Sequence, residues 1–400
     1  MAVARILILG GGYAGLSAAA RLSKLAGAAV TLVDANVDFV ERIRLHQVAA
    51  GQAYRHLPYA DFLTPRGVDF VQAKVLALDP EARVVILEDG NAARQTLGFD
   101  YLVYALGSSM DLDSVPGVRQ HALSLGTLAG AQRIQSALAQ AEGARALVVG
   151  GGLSAIETAA ELAESFPHLK LTLGMGSPLK ASTEPAGFCG RAVDYLHGAL
   201  SRLGIAVQEG DWIKELDEHT AHLADGSRLA FDACIWTSGF KPAALAAQAG
   251  LRTNAQGQIL TDASLRSLSH PHILAIGDAA AASTADGGPC RMSCATGLPM
   301  GGAAARTIAA LLAGEAPPPL EFGYLFRNVS LGRRDGLIQF VDARDRPRDL
   351  IWTGRQAAQW KEYICTGTLA TIGFYPPDAP PMLPPLRMMP QILRARRYYA

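Results

Sequence analysis

Glycines and a few acids are the residues whose spacing could do chemistry. In ARILILGGGYAGLSAAARL, Gly10, Gly12 and Gly15 form a GxGxxG turn. Gly10 permits the tight turn, Gly12 lets a pyrophosphate approach the backbone, and Gly15 lets helix and strand pack closely. The helix that starts around Ala14 presents unpaired N–H groups to the phosphates. The next apolar strand, AAVTLVDA, closes on Asp34, where a carboxylate can bind a ribose hydroxyl.

The pattern then recurs. RALVVGGGLSAIETAAELA has Gly150 and Gly152 in the same places and Ala155 at the third. Its second strand, LTLGMGSP, ends without an acid, and Met175 stands at about the place of Asp34. Without that acid a 2′-phosphate escapes repulsion and could meet Ser177 or Lys180. A 2′-phosphorylated dinucleotide is therefore expected to serve at least as well as its 2′-hydroxyl counterpart, and Met175→Glu to raise preference for the latter. Each copy continues through an Asp-Gly turn to an apolar strand: LEDG…FDYLVYALGS, reaching Gly107, and LADG…FDACIWTSGF, reaching Gly239. A third strand, HPHILAIGDAAA, ends in Gly277-Asp278, which could offer a carboxylate to a sugar-like chain. Glu157, early in the second helix, can relay a proton or position a nicotinamide; the plainer alternative is a carboxylate favoured by the helix dipole. Arg44 and His46, in RIRLHQ, could face a bound cofactor or lie on a helix surface, and Lys241 stays unassigned.

These residues need a definite scaffold. Apolar runs ending in glycine suit parallel strands buried on both faces, and runs meeting at Asp-Gly suit a β-meander. Recurrence in register indicates two copies of one unit, each a dinucleotide domain with a small antiparallel insertion. The expected fold is α/β: two Rossmann-like three-layer domains, the second inserted in the first, plus a C-terminal α+β domain. The expected boundaries are 1–112 with 245–320, then 113–244, then 321–400. Trp360 and Ile364 share one face of an amphipathic helix in the last segment.

Composition excludes other classes. Lysine plus arginine and aspartate plus glutamate both number 36, so no net field favours nucleic acid. No apolar run approaches the ~20 residues of a membrane span, and the apolar N-terminal run is too short for a signal peptide. A cytoplasmic protein is expected. The five cysteines show neither CxxC nor metal-type spacing, so no metal is expected.

Taken in order, these motifs resemble the two-dinucleotide flavoproteins of the pyridine nucleotide–disulfide oxidoreductase superfamily, over roughly residues 5–315. The resemblance implies FAD at Gly10, Gly12, Ala14, Gly15, Asp34, Gly277 and Asp278, with Arg44 and Gly107 beside it. It implies NADH or NADPH at Gly150, Gly152, Ser177 and Gly239, and a catalytic role for Glu157. No cysteine precedes Cys189, which excludes the branch with a redox pair in the first domain. FVERIRLHQVAAGQ, GLSAIETAAE, SLGRRDGLIQF and TGRQAAQWKE are similar to type II NADH dehydrogenases and ferroptosis-suppressor-like quinone reductases. Two features depart from them. MSCATGLPMGG, at 292–302, replaces their quinone-side signature, and the proline-broken tail holds no long helix. Its Arg394, Arg396 and Arg397 allow at most peripheral membrane contact. The implied activity is hydride transfer from NAD(P)H through FAD to a small acceptor, a quinone or similar aromatic, with dimer contacts through the last domain. Alternatives are a tailoring oxidoreductase of secondary metabolism and a non-enzymatic redox-sensing flavoprotein. A sulfide-oxidising reading would need Cys189, Cys290 or Cys294 beside the flavin, whereas Cys234 reads as a buried hydrophobe.

Overall fold

The computed structural model describes residues 3–374. The tail with Arg394, Arg396 and Arg397 lies outside the described residues. Two five-stranded parallel sheets dominate the chain. The first runs Ile273–Ala275, Tyr101–Tyr104, Ala4–Leu9, Ala28–Asp34, Asp69–Gln72. The second runs Ala122–Ser124, Ala233–Trp236, Arg145–Val149, Lys170–Met175, Ala206–Glu209. The orders are the same, with one difference in the chain. The outer strand of the first sheet, Ile273–Ala275, arrives only after the whole second sheet is complete. The second unit is therefore inserted in the first.

Each central strand is apolar on both faces, as a parallel strand between helices must be. Ile6, Leu7, Ile8 and Leu9 are all buried, and so are Ala146, Leu147, Val148 and Val149. Each unit also carries a three-stranded antiparallel meander, Lys74–Asp79 to Arg94–Gly98 and Ile213–Leu216 to Arg228–Ala230. The Asp-Gly pairs sit at their turns. The Asp89 carboxylate accepts the N–H groups of Asn91 and Ala93, and that of Asp225 accepts Ser227 N–H.

Four helices position the site: α1 (Tyr13–Leu22), α2 (Leu153–Ser165), α3 (Cys294–Ala313) and α4 (Arg355–Thr371). The α1 and α2 helices follow the two glycine turns. The α3 helix packs on α1 through its glycines. A Cβ on Gly301 would lie 2.5 Å from the Ala14 carbonyl oxygen, and one on Gly297 would lie 3.3 Å from the Ala14 Cβ. Ser17 Oγ donates to Leu298 O at 2.7 Å across this contact. Much of GLPMGG thus serves helix packing.

The C-terminal part is an antiparallel sheet, Phe326–Ser330, Gly336–Val341 and Pro347–Thr353, covered by α4. Trp360 anchors that helix. It is 1% exposed, stacks on Tyr363 at 5.1 Å, and meets Ile338, Phe340 and Ala357 in one cluster.

Candidate active site

The two glycine turns divide their labour. At Gly10 the backbone is left-handed (φ +98°), and a Cβ there would collide with the Ala105 carbonyl. A Cβ on Gly15 would collide with the Gly10 carbonyl, so this glycine lets the helix pack against its own turn. Gly12 differs: nothing lies within 4 Å of a Cβ placed there. Gly151 and Gly152 are likewise open in the second copy. Gly12 and Gly152 are also the N-caps of α1 and α2, and neither helix start has a side-chain cap. Both turns therefore present free N–H groups beside open space, which is what an anion needs.

Both turns open into one cavity of about 1080 Å³. Of the residues singled out by sequence, Gly12, Ala14, His46, Gly107, Gly152, Glu157, Gly239, Gly277, Asp278, Cys294, Trp360 and Ile364 line it. The Asp278 carboxylate accepts Ser108 Oγ at 2.6 Å. Gly10, Gly15 and Gly150 shape the turns from behind.

Asp34 lies outside the cavity wall, at the end of its strand. It accepts Gly11 N–H at 2.7 Å and Asn36 N–H at 2.8 Å. Met175 is its structural counterpart. Leu9 pairs with Val33 and Val149 with Gly174, so Asp34 and Met175 are the next residues in equivalent strands. Yet Met175 is only 2% exposed, in an apolar cluster with Leu179 and Phe188. A glutamate introduced there meets an apolar setting before it meets a ribose, so Met175→Glu would act on stability as well as on nucleotide preference. Ser177 is exposed and outside the cavity.

Arg44, expected near a flavin edge or on a helix surface, is not among the residues that line the cavity. Its guanidinium makes a bidentate link to Glu362 on α4, at 2.6 and 3.0 Å, and a further contact to Glu41 at 3.2 Å. The cavity wall here is built from Arg42, Leu45 and His46. Arg42 donates to Ser108 O at 2.9 Å and faces the Phe240 ring at 5.7 Å. The Arg44 link belongs to a belt of charges in which Arg333 bridges Glu161 of α2 and Glu362 of α4, at 3.3 and 3.1 Å.

Glu157 has a partner that sequence reading missed. Its Oε1 accepts Lys361 Nζ at 2.7 Å and Ser330 N–H at 3.0 Å. Glu157 and Lys361 both line the cavity. Burial alone would raise the carboxyl pKa, but the Lys361 ammonium and the two hydrogen bonds hold it below the ordinary range. Lys361 is raised in turn, because Glu157 outweighs the cost of burial. No local signal marks this pair, since the partners lie 204 residues apart in the chain. His46, 4% exposed, is pushed down to about 4 by burial and so stays neutral.

The cavity residues suit a large polar cofactor. Tyr13 Oη, His46 Nε2 and Trp360 Nε1 are buried and have no hydrogen-bond partner among the described residues, and all three residues line the cavity. Buried polar atoms are normally paired. These await a partner, as the open face of Gly12 does.

Cys234 and Cys365 are buried, whereas Cys189, Cys290 and Cys294 are half-buried, and Cys294 lines the cavity. Burial pushes the thiols of Cys234, Cys290 and Cys294 up to about 12, so they stay protonated and weakly nucleophilic at neutral pH. Cys189 lies away from the main cavity, beside Ser182 and Arg191. Single Cys→Ser variants are expected to keep flavin reduction within about threefold of wild type. A loss beyond ~10-fold at Cys189, Cys290 or Cys294, with the fold intact by circular dichroism, would show thiol chemistry instead.

Known proteins agree with this architecture. The family model of the pyridine nucleotide-disulphide oxidoreductases matches residues 4–300. An NADH dehydrogenase-like protein of Mycobacterium tuberculosis is 31% identical over 317 residues, spanning 74% of this chain and 78% of the relative. A demethylphylloquinone reductase of Synechocystis is 30% identical over 309 residues, spanning 71% and 73%. The sulfide:quinone oxidoreductase of Aquifex aeolicus superposes with a TM-score of 0.78 at 17% identity, covering 92% of this chain and 91% of that one, a likeness of fold. Two equivalent parallel sheets, one inserted in the other, and two glycine turns facing one cavity are matched by sequence likeness over most of the chain: the protein belongs to the pyridine nucleotide-disulphide oxidoreductase family.

Proposed function

We propose that the protein is an FAD-dependent oxidoreductase that takes hydride from NAD(P)H and delivers the electrons to a quinone. The observation that carries this reading is the single cavity shared by Gly12 and Gly152, with the Glu157–Lys361 pair on its wall. The relatives add the chemistry their names state, NADH oxidation for one and quinone reduction for another.

Gly12, Ala14 and the α1 N-terminus would hold the FAD pyrophosphate, Asp34 its ribose, and Asp278 its sugar-like chain. Gly151 and Gly152 would hold the pyrophosphate of the nicotinamide nucleotide. Bound FAD supplies two-electron chemistry, so that NAD(P)H + H⁺ + quinone becomes NAD(P)⁺ + quinol. The protein's part is orientation and protons. Lys361 Nζ keeps a proton at the wall, and Glu157 Oε1 compensates that charge. Trp360, Tyr363 and Ile364 on α4 give the cavity an apolar side that suits a ring and excludes water.

The division into 1–112 with 245–320, 113–244 and 321–400 is part of this reading, supported by the strand order. So is a cytoplasmic enzyme with at most peripheral membrane contact and dimer contacts through its last domain. Among the described residues, no helix is long and apolar enough to cross a membrane.

Anaerobic mixing tests the function. NADH or NADPH should bleach the flavin, NADPH at least as fast, and a simple quinone should restore the colour. If neither nucleotide bleaches it, the second glycine turn is not a donor site. If quinone fails to restore it, the acceptor is of another class.

A further inference from the structure

Besides the two glycine turns, the cavity wall carries a pair of arginines, Arg291 and Arg327. Arg327, on the strand Phe326–Ser330, is only 3% exposed. Its Nη1 donates to Gly187 O at 2.7 Å, and its Nη2 to the backbone and carboxylate oxygens of Asp345, both at 3.1 Å. Arg291, just before α3, approaches the same carboxylate, with its Nε 2.9 Å from Oδ2 but outside hydrogen-bond geometry. Its guanidinium lies 4.5 Å over the Tyr324 ring, and its backbone N–H donates to Tyr324 Oη at 2.7 Å. One buried carboxylate thus serves two guanidiniums. The Nε atoms of both arginines are buried without a hydrogen-bond partner among the described residues, and both arginines line the cavity.

Arg327 is matched by Asp345, and Arg291, 24% exposed and opening on the cavity, shares that carboxylate, so among the described contacts the pair carries one positive charge more than it balances. A partly desolvated charge of this kind favours an anion that arrives with a ligand. The phosphates of the two nucleotides already have the glycine turns. The surplus charge lies instead beside Tyr324, Phe188 and Phe326, among aromatic rings on the same wall. Arginine suits a planar anion here, because its fork matches a carboxylate and its face stacks on aromatics.

Resting on the quinone reading above, we infer that the acceptor is an anionic quinone, one bearing a carboxylate or an ionised ring hydroxyl, and that Arg291, backed by Arg327, binds that group. Arg291 is the arm that engages the ligand. Arg327 holds the loop at Gly187 and the Asp345 turn in place behind it.

The test uses the FAD-loaded enzyme and a matched pair of probes, a naphthoquinone carboxylate and its uncharged methyl ester. Wild type should favour the acid over the ester by ~10-fold or more in kcat/KM, the size of one charge-assisted contact. In Arg291→Gln that ratio should fall towards one, and Arg291→Lys should keep part of it. Equilibrium titration without NAD(P)H, read by tryptophan fluorescence, should show the same loss of acid binding, and acid binding in wild type should weaken as salt rises. A merely structural Arg291 would lower both probes alike and leave the ratio unchanged, which overturns the inference. So does a wild type that prefers the ester. If NAD(P)H bleaches the flavin and neither quinone restores it, the quinone reading falls and takes this inference with it.

Discussion

Gly12→Val should purify as a folded but colourless protein. The backbone at Gly12 has φ −68°, which any residue adopts, and the space beside it holds no atom within 4 Å. A valine therefore fits the apoprotein, and its isopropyl group fills the room through which phosphates reach the α1 N–H groups. Losing a glycine N-cap to valine costs only about 1 kcal/mol, whereas excluding the pyrophosphate removes several charge-assisted hydrogen bonds. The flavin-to-protein absorbance ratio should drop at least ~10-fold, with circular dichroism unchanged. Gly152→Val is the control: it should stay yellow and resist bleaching by NAD(P)H. Full FAD occupancy in Gly12→Val would mean that the first glycine turn is not the FAD site. Gly15→Val has a different outcome, since its side chain meets the Gly10 carbonyl and the turn itself must break.

Lys361→Met should be the most damaging single change at the Glu157 wall. Glu157 is 6% exposed, and removing its ammonium partner leaves a carboxylate with burial as its dominant influence. Breaking a buried pair from one side costs about 3–5 kcal/mol. The pH dependence fixes the sign. In wild type the Glu157 pKa is depressed, so the pair contributes stability above the unfolded carboxyl pKa and loses it as pH falls through the folded value. In Lys361→Met the folded pKa is raised instead, so the penalty is present at alkaline pH and shrinks as acid neutralises the carboxyl. Urea denaturation should therefore show a larger deficit at mildly alkaline than at mildly acidic pH, and adding Glu157→Gln should recover part of it. Quinol formation should slow by ~10²-fold or more if Lys361 carries the proton. A variant with unchanged stability and turnover would show that the pair is neither a structural nor a proton-bearing element.

What the sequence determined by itself was local and repeated. Each glycine turn, its flanking strands and its helix lie within one short stretch, and that stretch recurs with the same punctuation, so spacing alone revealed two units and their order. The equivalence of Asp34 and Met175 was legible for the same reason, because a parallel pair fixes register. What tertiary structure decided depends on residues far apart. Met175 is buried in an apolar cluster that gathers Val148, Phe188 and Leu196 from other segments. Arg42 rather than Arg44 faces the cavity, because a short 3₁₀ turn at Arg42–Arg44 breaks the helical periodicity from which sidedness is read, and Glu362 holds Arg44. The glycines of GLPMGG, which suggest an altered acceptor face, are largely consumed in packing α3 on α1. Glu157 finds Lys361, and Arg291 meets Arg327 at Asp345, only once the C-terminal sheet and α4 close over the two nucleotide units. Charges come together there by folding, and no sequence spacing encodes a contact between chain segments that pack from different domains.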